Sequence, residues 1–267
     1  WNQEKTDRAI IDCLYNINKY SDKVTLEDLR NDPYCKLIPN LNENTVNEVI
    51  ESINNKITKG TSPWSNEVFY HTGPHHDDIM LGLLPHIHRV SRNETNTSHF
   101  AVMTSGSNAV TNTFLIRALE ETLDFINRNK IEMLQYPDFF EKGYKIKRDK
   151  DSYHYLINVA SGNAIERKRG FSHRLIRDFI EIWGIKNTED LKNKIAEVID
   201  QTKSCYDGEK MPEEIRTLKG MIRECEEELV WGFFGIKESN IHHLRLGFYT
   251  GNLFTEKPNP ERDVKPI

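Results

Sequence analysis

The stretch VFYHTGPHHDDIMLG, residues 68–82, follows a short apolar run with two histidines and two aspartates in succession. His75 and Asp78 are three residues apart, so across a strand-to-helix turn their side chains can face one point. An imidazole nitrogen and a carboxylate oxygen suit Zn²⁺, with one open position left for a water. Asp77 lies between them and can accept a proton from that water. The spacing predicts a metal or catalytic site. A helix cap is the alternative, because the helix dipole also favours aspartates at a helix start.

Further residues that can bind a polar ligand follow the next predicted strand and lie on a later helix. Thr104, Ser105 and Gly106 end the stretch SHFAVMTSG, where hydroxyls and backbone N–H groups can hold a sugar or phosphate oxygen. An ordinary strand-to-loop turn explains the same residues equally well. Arg223 can reach an anionic or sugar group, or pair with an acidic residue one turn away on its own helix. His71 precedes the cluster on its strand and is expected to support the site indirectly.

The remaining histidines near these segments are weaker candidates. His242 and His243 are adjacent in a predicted strand and alternate across its faces, so a core or surface role is favoured over metal ligation. His86 and His88 lie too far along the helix after the motif to reach the same point.

The elements that must position these residues alternate between strand and helix. NEVFYHTG and SHFAVMTSG are short, aromatic and β-branched, and predict strands. Helical periodicity follows each of them, with Pro85 expected to kink or end the first helix. Later, EEIRTLKGMIRECEEELVWGFFG predicts a helix that stops at Gly235, and NIHHLRLGFY predicts another strand. This order predicts a Rossmann-like α/β fold with a mostly parallel sheet and crossover helices.

Helical segments accompany this alternation. Residues 1–62 carry two amphipathic patterns interrupted by prolines, and predict a helical lead-in or connector ahead of an α/β domain over 63–267. From about 134 to 214 the pattern predicts a helical insert. The last residues, NPERDVKPI, are typical of a first helical turn capped by Asn259. The chain is therefore expected to be part of a longer protein and incomplete at its C-terminus.

Composition excludes several classes of partner. The chain of 267 residues has a formal net charge of −5 and no basic stripe, so nucleic acid is not an expected partner. Mean hydropathy is −0.66, and no apolar run approaches the ~20 residues that span a bilayer. The four cysteines share no paired spacing, which fits a reducing, cytoplasmic location. A homo-oligomer is compatible with these features.

PHHDDIMLG resembles the H-P-D-D motif of the PIG-L / LmbE-like family of zinc-dependent de-N-acetylases. TSGSNAVTN and the long segment LKGMIRECEEELVWGFFGIKESNIHHLRLGFYTG match in the same order. The likeness extends to one branch, the C-terminal half of two-domain proteins whose N-terminal half is glucosamine-6-phosphate deaminase-like. This resemblance implies a covalently linked deaminase-like domain upstream. It also implies hydrolysis of the N-acetyl group of an amino-sugar substrate.

Residue by residue, the resemblance implies that His75 and Asp78 bind zinc and that Asp77 is the general base. His76 stands in place of the usual proline and is counted with His71 among the supporting residues. Ile79 replaces an acidic residue that commonly supports the site. The third ligand and the general acid are expected beyond Ile267.

Two other functions compete with the zinc-dependent de-N-acetylase. A non-catalytic sugar-binding or interaction module could keep the fold, and the changes at His76 and Ile79 favour it. A metal phosphoesterase shares the histidine and aspartate chemistry but needs more carboxylate ligands than the sequence offers.

Overall fold

The structure, a computed structural model, describes residues 1–136, 138–141, 148–246, 259–265 and 267. Contacts between Cα atoms divide the chain into two units, Trp1–Pro63 and Trp64–Ile267. None of the helices in the described part of the chain has the length and apolar character needed to cross a membrane.

The first unit is helical in the structure. Helix α1 spans Gln3–Asn16 and helix α3 spans Thr45–Thr61. Between them is a short helix that the sequence pattern did not indicate, α2 (Leu26–Asn31), which begins with a capping box formed by Thr25 and Asp28. Apolar side chains from all three helices and from the segment between α2 and α3 form one core: Ile10, Cys13, Leu29, Cys35, Ile38, Val46 and Val49.

Three parallel strands in the second unit confirm the predicted α/β class. They are β1 (Val68–Gly73), β2 (Thr97–Val102) and β3 (Ile241–His243), in the order β1-β2-β3. The register pairs Gly73 with Val102, and Val102 with His243. All three carboxyl ends therefore meet at one edge of the sheet, where α/β proteins place their ligands. Within the described residues the last strand spans Ile241–His243 and is followed by irregular backbone at residues 244–246, where the Leu244 N–H still donates to the Val102 carbonyl at 2.9 Å. The remainder of the predicted strand lies outside the described residues.

Helices follow the first two strands at the predicted places. Helix α4 spans Asp78–Ser91 and helix α5 spans Asn112–Asn127. Pro85 does not end α4, which continues for six further residues. The Thr111 side chain caps α5 by accepting a hydrogen bond from the backbone of Phe114.

The predicted helical insert is helical throughout residues 148–203, apart from its connecting turns. It comprises α6 (Arg148–Ala160), α7 (Ala164–Trp183) and α8 (Thr188–Lys203), and is followed by α9 (Glu213–Phe233). Helices α5, α7, α8 and α9 share one apolar core, which includes Leu115, Leu119, Leu175, Phe179, Ile195, Leu218 and Ile222. Helix α9 also reaches the sheet, because its Trp231 stacks on Phe100 of β2 with 4.1 Å between ring centroids.

Candidate functional site

The loops that leave the three strands are tied together at the carboxyl edge of the sheet. The backbone N–H of Thr104 donates to the Pro74 carbonyl at 3.1 Å, and its hydroxyl donates to the same oxygen at 2.7 Å. The Leu246 N–H donates to the Met103 carbonyl at 2.7 Å. These bonds fix the backbone that carries the polar side chains. The Thr104 hydroxyl is engaged in one of them and so has a structural role.

His75 and Asp78 lie together in the turn between β1 and α4. The Asp78 carboxylate accepts from the His75 backbone N–H at 2.9 Å and lies 3.1 Å from the ring Nδ1. Both side chains are about two-fifths exposed. Within the described residues they belong to no group of three or more histidine, cysteine or carboxylate donors close enough to hold one ion. The structure therefore provides two adjacent donors of the type that zinc prefers, open to solvent.

Asp77 lies beside this pair and is half exposed. Its carboxylate is 3.6 Å from a guanidinium nitrogen of Arg223, on helix α9. Arg223 also makes a short ion pair with Glu226, one turn along the same helix. Arg223 thus makes the pairing within its own helix that the sequence left open, and it also contacts the aspartate motif; its binding of a ligand stays a prediction.

Gly106 forms the turn after β2 in a left-handed conformation, with φ of 62°. A Cβ at this position would lie 2.9 Å from His76 Nδ1 and 3.5 Å from Arg223 Cγ. A Cβ at Gly220 of α9 would in turn meet the Ser105 side chain at 3.2 Å. Glycine at these two positions lets the β2 loop pack closely between His76 and helix α9.

His76 points inward from the same turn. It is 4% exposed and stacks on His243 of β3, with 5.5 Å between ring centroids. Glu227 of α9 completes a group of three donors within 4.8 Å of one another. Burial lowers the pKa of His76 to about 4. Burial raises the pKa of Glu227 to about 8, although the hydrogen bond from Trp231 acts in the opposite direction.

Two more buried carboxylates lie on the same face of α9. Glu228 accepts two hydrogen bonds from Arg174 of α7, at 2.7 and 3.3 Å, and lies 3.2 Å from His243 Nε2. Glu224 accepts two hydrogen bonds from Arg245, which follows β3. The Nε–H group donates to Oε1, and a terminal guanidinium nitrogen donates to Oε2 at 2.8 Å. Each of these carboxylates is thus paired with an arginine from another segment of the chain.

The two remaining positions singled out in the motif lie in apolar surroundings. Ile79 is 3% exposed and fills the space beside Gly73, where a Cβ would come within 2.7 Å of it. His71 is also buried, and its ring packs on Phe100 at 5.0 Å and faces His86 at 6.0 Å. The observed contacts of His71 are therefore with an aromatic cluster, not with the metal-ligand candidates.

The sequence interpretation did not single out Glu224, Glu227 and Glu228 as site residues. Their spacing of three and four residues puts them on one helical face, within a segment that also carries buried apolar side chains. The sequence signal that could have identified them is the presence of carboxylates among the apolar residues of one helical face, since buried charges require partners.

A groove of about 270 Å³ opens next to the Arg223–Glu226 pair. Its lining includes Glu226 together with three cationic and three aromatic side chains: Arg117, Arg167, Lys168, Phe114, Tyr155 and Phe171. Lys168 donates to Glu121 at 2.6 Å, so part of this positive charge is already balanced.

Comparisons with known proteins give one partial match. A glucosamine-6-phosphate deaminase-like protein of Bacteroides thetaiotaomicron is 31% identical over 118 residues, which are 43% of this chain and 17% of that relative. The chain thus matches less than a fifth of the relative's length. No family model and no solved structure match the chain. The resemblance to the PIG-L / LmbE-like enzymes stays a prediction.

Proposed function

We propose that this chain carries the catalytic site of a zinc-dependent hydrolase that removes the N-acetyl group of an amino-sugar derivative. The observation that carries the proposal is the convergence of His75 Nδ1 and Asp78 Oδ2 to 3.1 Å, with Asp77 adjacent, at the carboxyl edge of the sheet. The partial match to a deaminase-like protein supports an amino-sugar context. Removal of an acetyl group yields the free amine on which a deaminase acts.

The donor chemistry of this pair fits a zinc ion. One imidazole and one carboxylate are two of the three protein ligands that a catalytic zinc site normally uses, and their exposure leaves room for water and substrate. The proposal requires a third ligand from outside the described residues. When bound, zinc would lower the pKa of a water molecule to about 7 and polarise the acetyl carbonyl.

The other residues have separate roles in this proposal. Asp77 accepts the proton of the attacking water, as its position between the two ligands and its exposure allow. Arg223 holds Asp77 from α9 and limits the directions in which its carboxylate can turn. In this proposal the backbone N–H groups of Ser105 and Gly106 serve as donors for a sugar oxygen. Three cations and two carboxylates, Glu121 and Glu226, line the groove, and its small excess of positive charge is compatible with an acidic substrate such as a sugar phosphate.

The test combines zinc analysis with acetate release from N-acetylglucosamine 6-phosphate, using the intact protein. Asp77→Asn should lower kcat by about 10²–10⁴-fold while zinc content is unchanged, because only the proton acceptor is lost. Asp78→Asn should lose turnover together with the zinc bound by His75 and Asp78. Asp22→Asn, at an exposed position of the first unit, is the matched control and should change neither. Acetate release that is unaffected by Asp77→Asn would exclude the proposed general base.

A non-catalytic sugar-binding module is the second candidate, and one observation favours it. Asp78 already accepts the His75 backbone N–H at 2.9 Å, so the turn is satisfied as a helix start without any cation. In this case calorimetry would detect binding of the sugar phosphate without acetate release. Neither the wild type nor Asp77→Asn would then release acetate.

A further inference from the structure

A second group of metal-ligand donors lies beneath the Gly106 turn, separate from His75 and Asp78. His76, Glu227 and His243 each offer one donor atom, and these atoms all lie within 4.8 Å of one another. They come from three different segments, namely the β1 loop, helix α9 and strand β3. Two imidazoles and one carboxylate form a donor set typical of Zn²⁺.

The donors of this group are buried and incompletely bonded. His76 is 4% exposed, yet neither of its ring nitrogens has a hydrogen-bond partner among the described residues. Glu227 is 1% exposed, and its Oε2 accepts no hydrogen bond from the described part of the chain. Buried polar atoms without partners are rare in folded proteins, and an ion is one of the standard explanations.

Neighbouring side chains orient two of the donors. Trp231 Nε1 donates to Glu227 Oε1 at 2.9 Å, which leaves Oε2 directed at the group. His243 Nε2 lies 3.2 Å from Glu228 Oε1, and its Nδ1 faces Glu227 Oε2 at 3.7 Å. A histidine that contacts a carboxylate through one nitrogen and presents the other nitrogen inward has the usual arrangement of a metal-binding histidine.

From this geometry we propose that His76, Glu227 and His243 bind a divalent cation of the Zn²⁺ type. The ion links the β1 loop, β3 and α9, and so holds the turn at Gly106 in place. A related group of Glu224, Glu228 and His243 is less suitable, because Arg245 and Arg174 already bind its two carboxylates. The proposal does not depend on the hydrolase, since none of its three donors is a zinc ligand or the general base of the proposed catalytic site.

The experiment separates the two sites by mutation. Every variant carries Asp78→Asn, which removes the first site. The intact protein is depleted of metal with a chelator, loaded with Zn²⁺ alone and desalted, and its bound zinc is then measured. We expect one zinc per chain in Asp78→Asn. Adding Glu227→Gln, which keeps the size of the side chain, or His76→Gln should weaken zinc binding at least about tenfold. Adding His242→Gln, the neighbour of His243 on β3, is the matched control and should have no effect.

Two results would overturn the second site. One is the absence of zinc from Asp78→Asn, and the other is one zinc that persists after Glu227→Gln. Circular dichroism of each variant shows whether the fold is intact. Titration of the folded Asp78→Asn variant with Co²⁺ gives an independent reading, since visible absorption bands that disappear with Glu227→Gln report on the same donors. Loss of acetate release in Asp78→Asn with zinc still bound would leave both proposals standing as separate sites.

Discussion

His75 and His76 are neighbours in the chain, yet their imidazoles lie in different surroundings. His75 is exposed and pairs with Asp78, whereas His76 turns inward to stack on His243. The bend and turn between β1 and α4 leave the first side chain at the surface and bury the second. The identity of residue 76 therefore matters to the interior of the protein, while residue 75 faces solvent.

Gly106 is the backbone position that this inward turn depends on. Gly106→Ala is expected to lower the free energy of unfolding by about 1–2 kcal/mol or more, because φ is 62° and the new Cβ would lie 2.9 Å from His76 Nδ1. Urea denaturation at pH 7 measures the change.

Gly82→Ala is the control for that substitution. Gly82 is exposed in helix α4 with no atom within 4 Å of its missing Cβ, so alanine should raise stability by about 0.5–1 kcal/mol. Changes of the same sign at both glycines would contradict the assigned role of the Gly106 turn.

Helix α9 connects most of the features described above. Its amino-terminal half contributes Ile215 and Leu218 to the core of the helical block, and its carboxyl-terminal half places Trp231 against the sheet. Between these apolar ends it carries Arg223 and the three buried carboxylates. Helix α9 thus fixes the positions of both the exposed and the buried polar groups relative to one another.

The pairing of α9 with α7 depends on Arg174. Arg174→Met should cost about 3–5 kcal/mol of unfolding free energy, because it removes the buried guanidinium that Glu228 and Asp178 share and leaves an excess of buried negative charge. The measurement is the urea dependence of the far-ultraviolet circular dichroism. Lys194→Met removes one partner of the more exposed Lys194–Glu197 pair on α8 and should change stability by less than about 1 kcal/mol. Equal losses in the two variants would argue against an uncompensated buried charge.

Local patterns predicted most elements, and packing decided the rest. Aromatic and β-branched runs indicated β1 and β2, and helical periodicity indicated α5, α7, α8 and α9. The sequence left open whether Pro85 kinks or ends its helix, and α4 continues past it, because local sequence does not reveal which neighbours compensate for a lost helical hydrogen bond. Alternation placed His242 and His243 on opposite faces of β3. It could not show that His243 would meet Glu227 and Glu228, since that contact depends on how α9 packs on the sheet.

At the scale of the second unit, the sheet edge and the helical block share α9 and are expected to unfold together. His173 of α7 is expected to destabilise the folded state of this block at acidic pH. Burial lowers its pKa to about 4, and Arg169, Arg177 and His154 act in the same direction. It lines a polar cavity of about 510 Å³ that also contains Lys150, Asp151 and Glu166.

The sign of this effect follows from the lowered pKa. The folded state holds His173 neutral, so its contribution to stability is complete above the unfolded pKa of about 6.5 and is lost as the pH falls toward 4. Relative to the wild type, His173→Gln should lose about 2 kcal/mol less stability between pH 7 and pH 4.5. Unfolding free energies from urea at the two pH values give the comparison. Parallel losses in both proteins would show that His173 is not responsible.

The stacking of Trp231 on Phe100 has a spectroscopic consequence. Trp1 and Trp64 are about half exposed, whereas Trp231 is fully buried and donates its indole N–H to Glu227. An indole in apolar surroundings fluoresces at shorter wavelength than one in water, and its emission responds to charge placed next to the ring. Trp183 of α7 is also partly buried, against Phe179. In a Trp183→Phe variant the blue edge of the protein's fluorescence is therefore an optical probe of the ionisation and occupancy of Glu227. It can be followed in dilute solution without any attached dye.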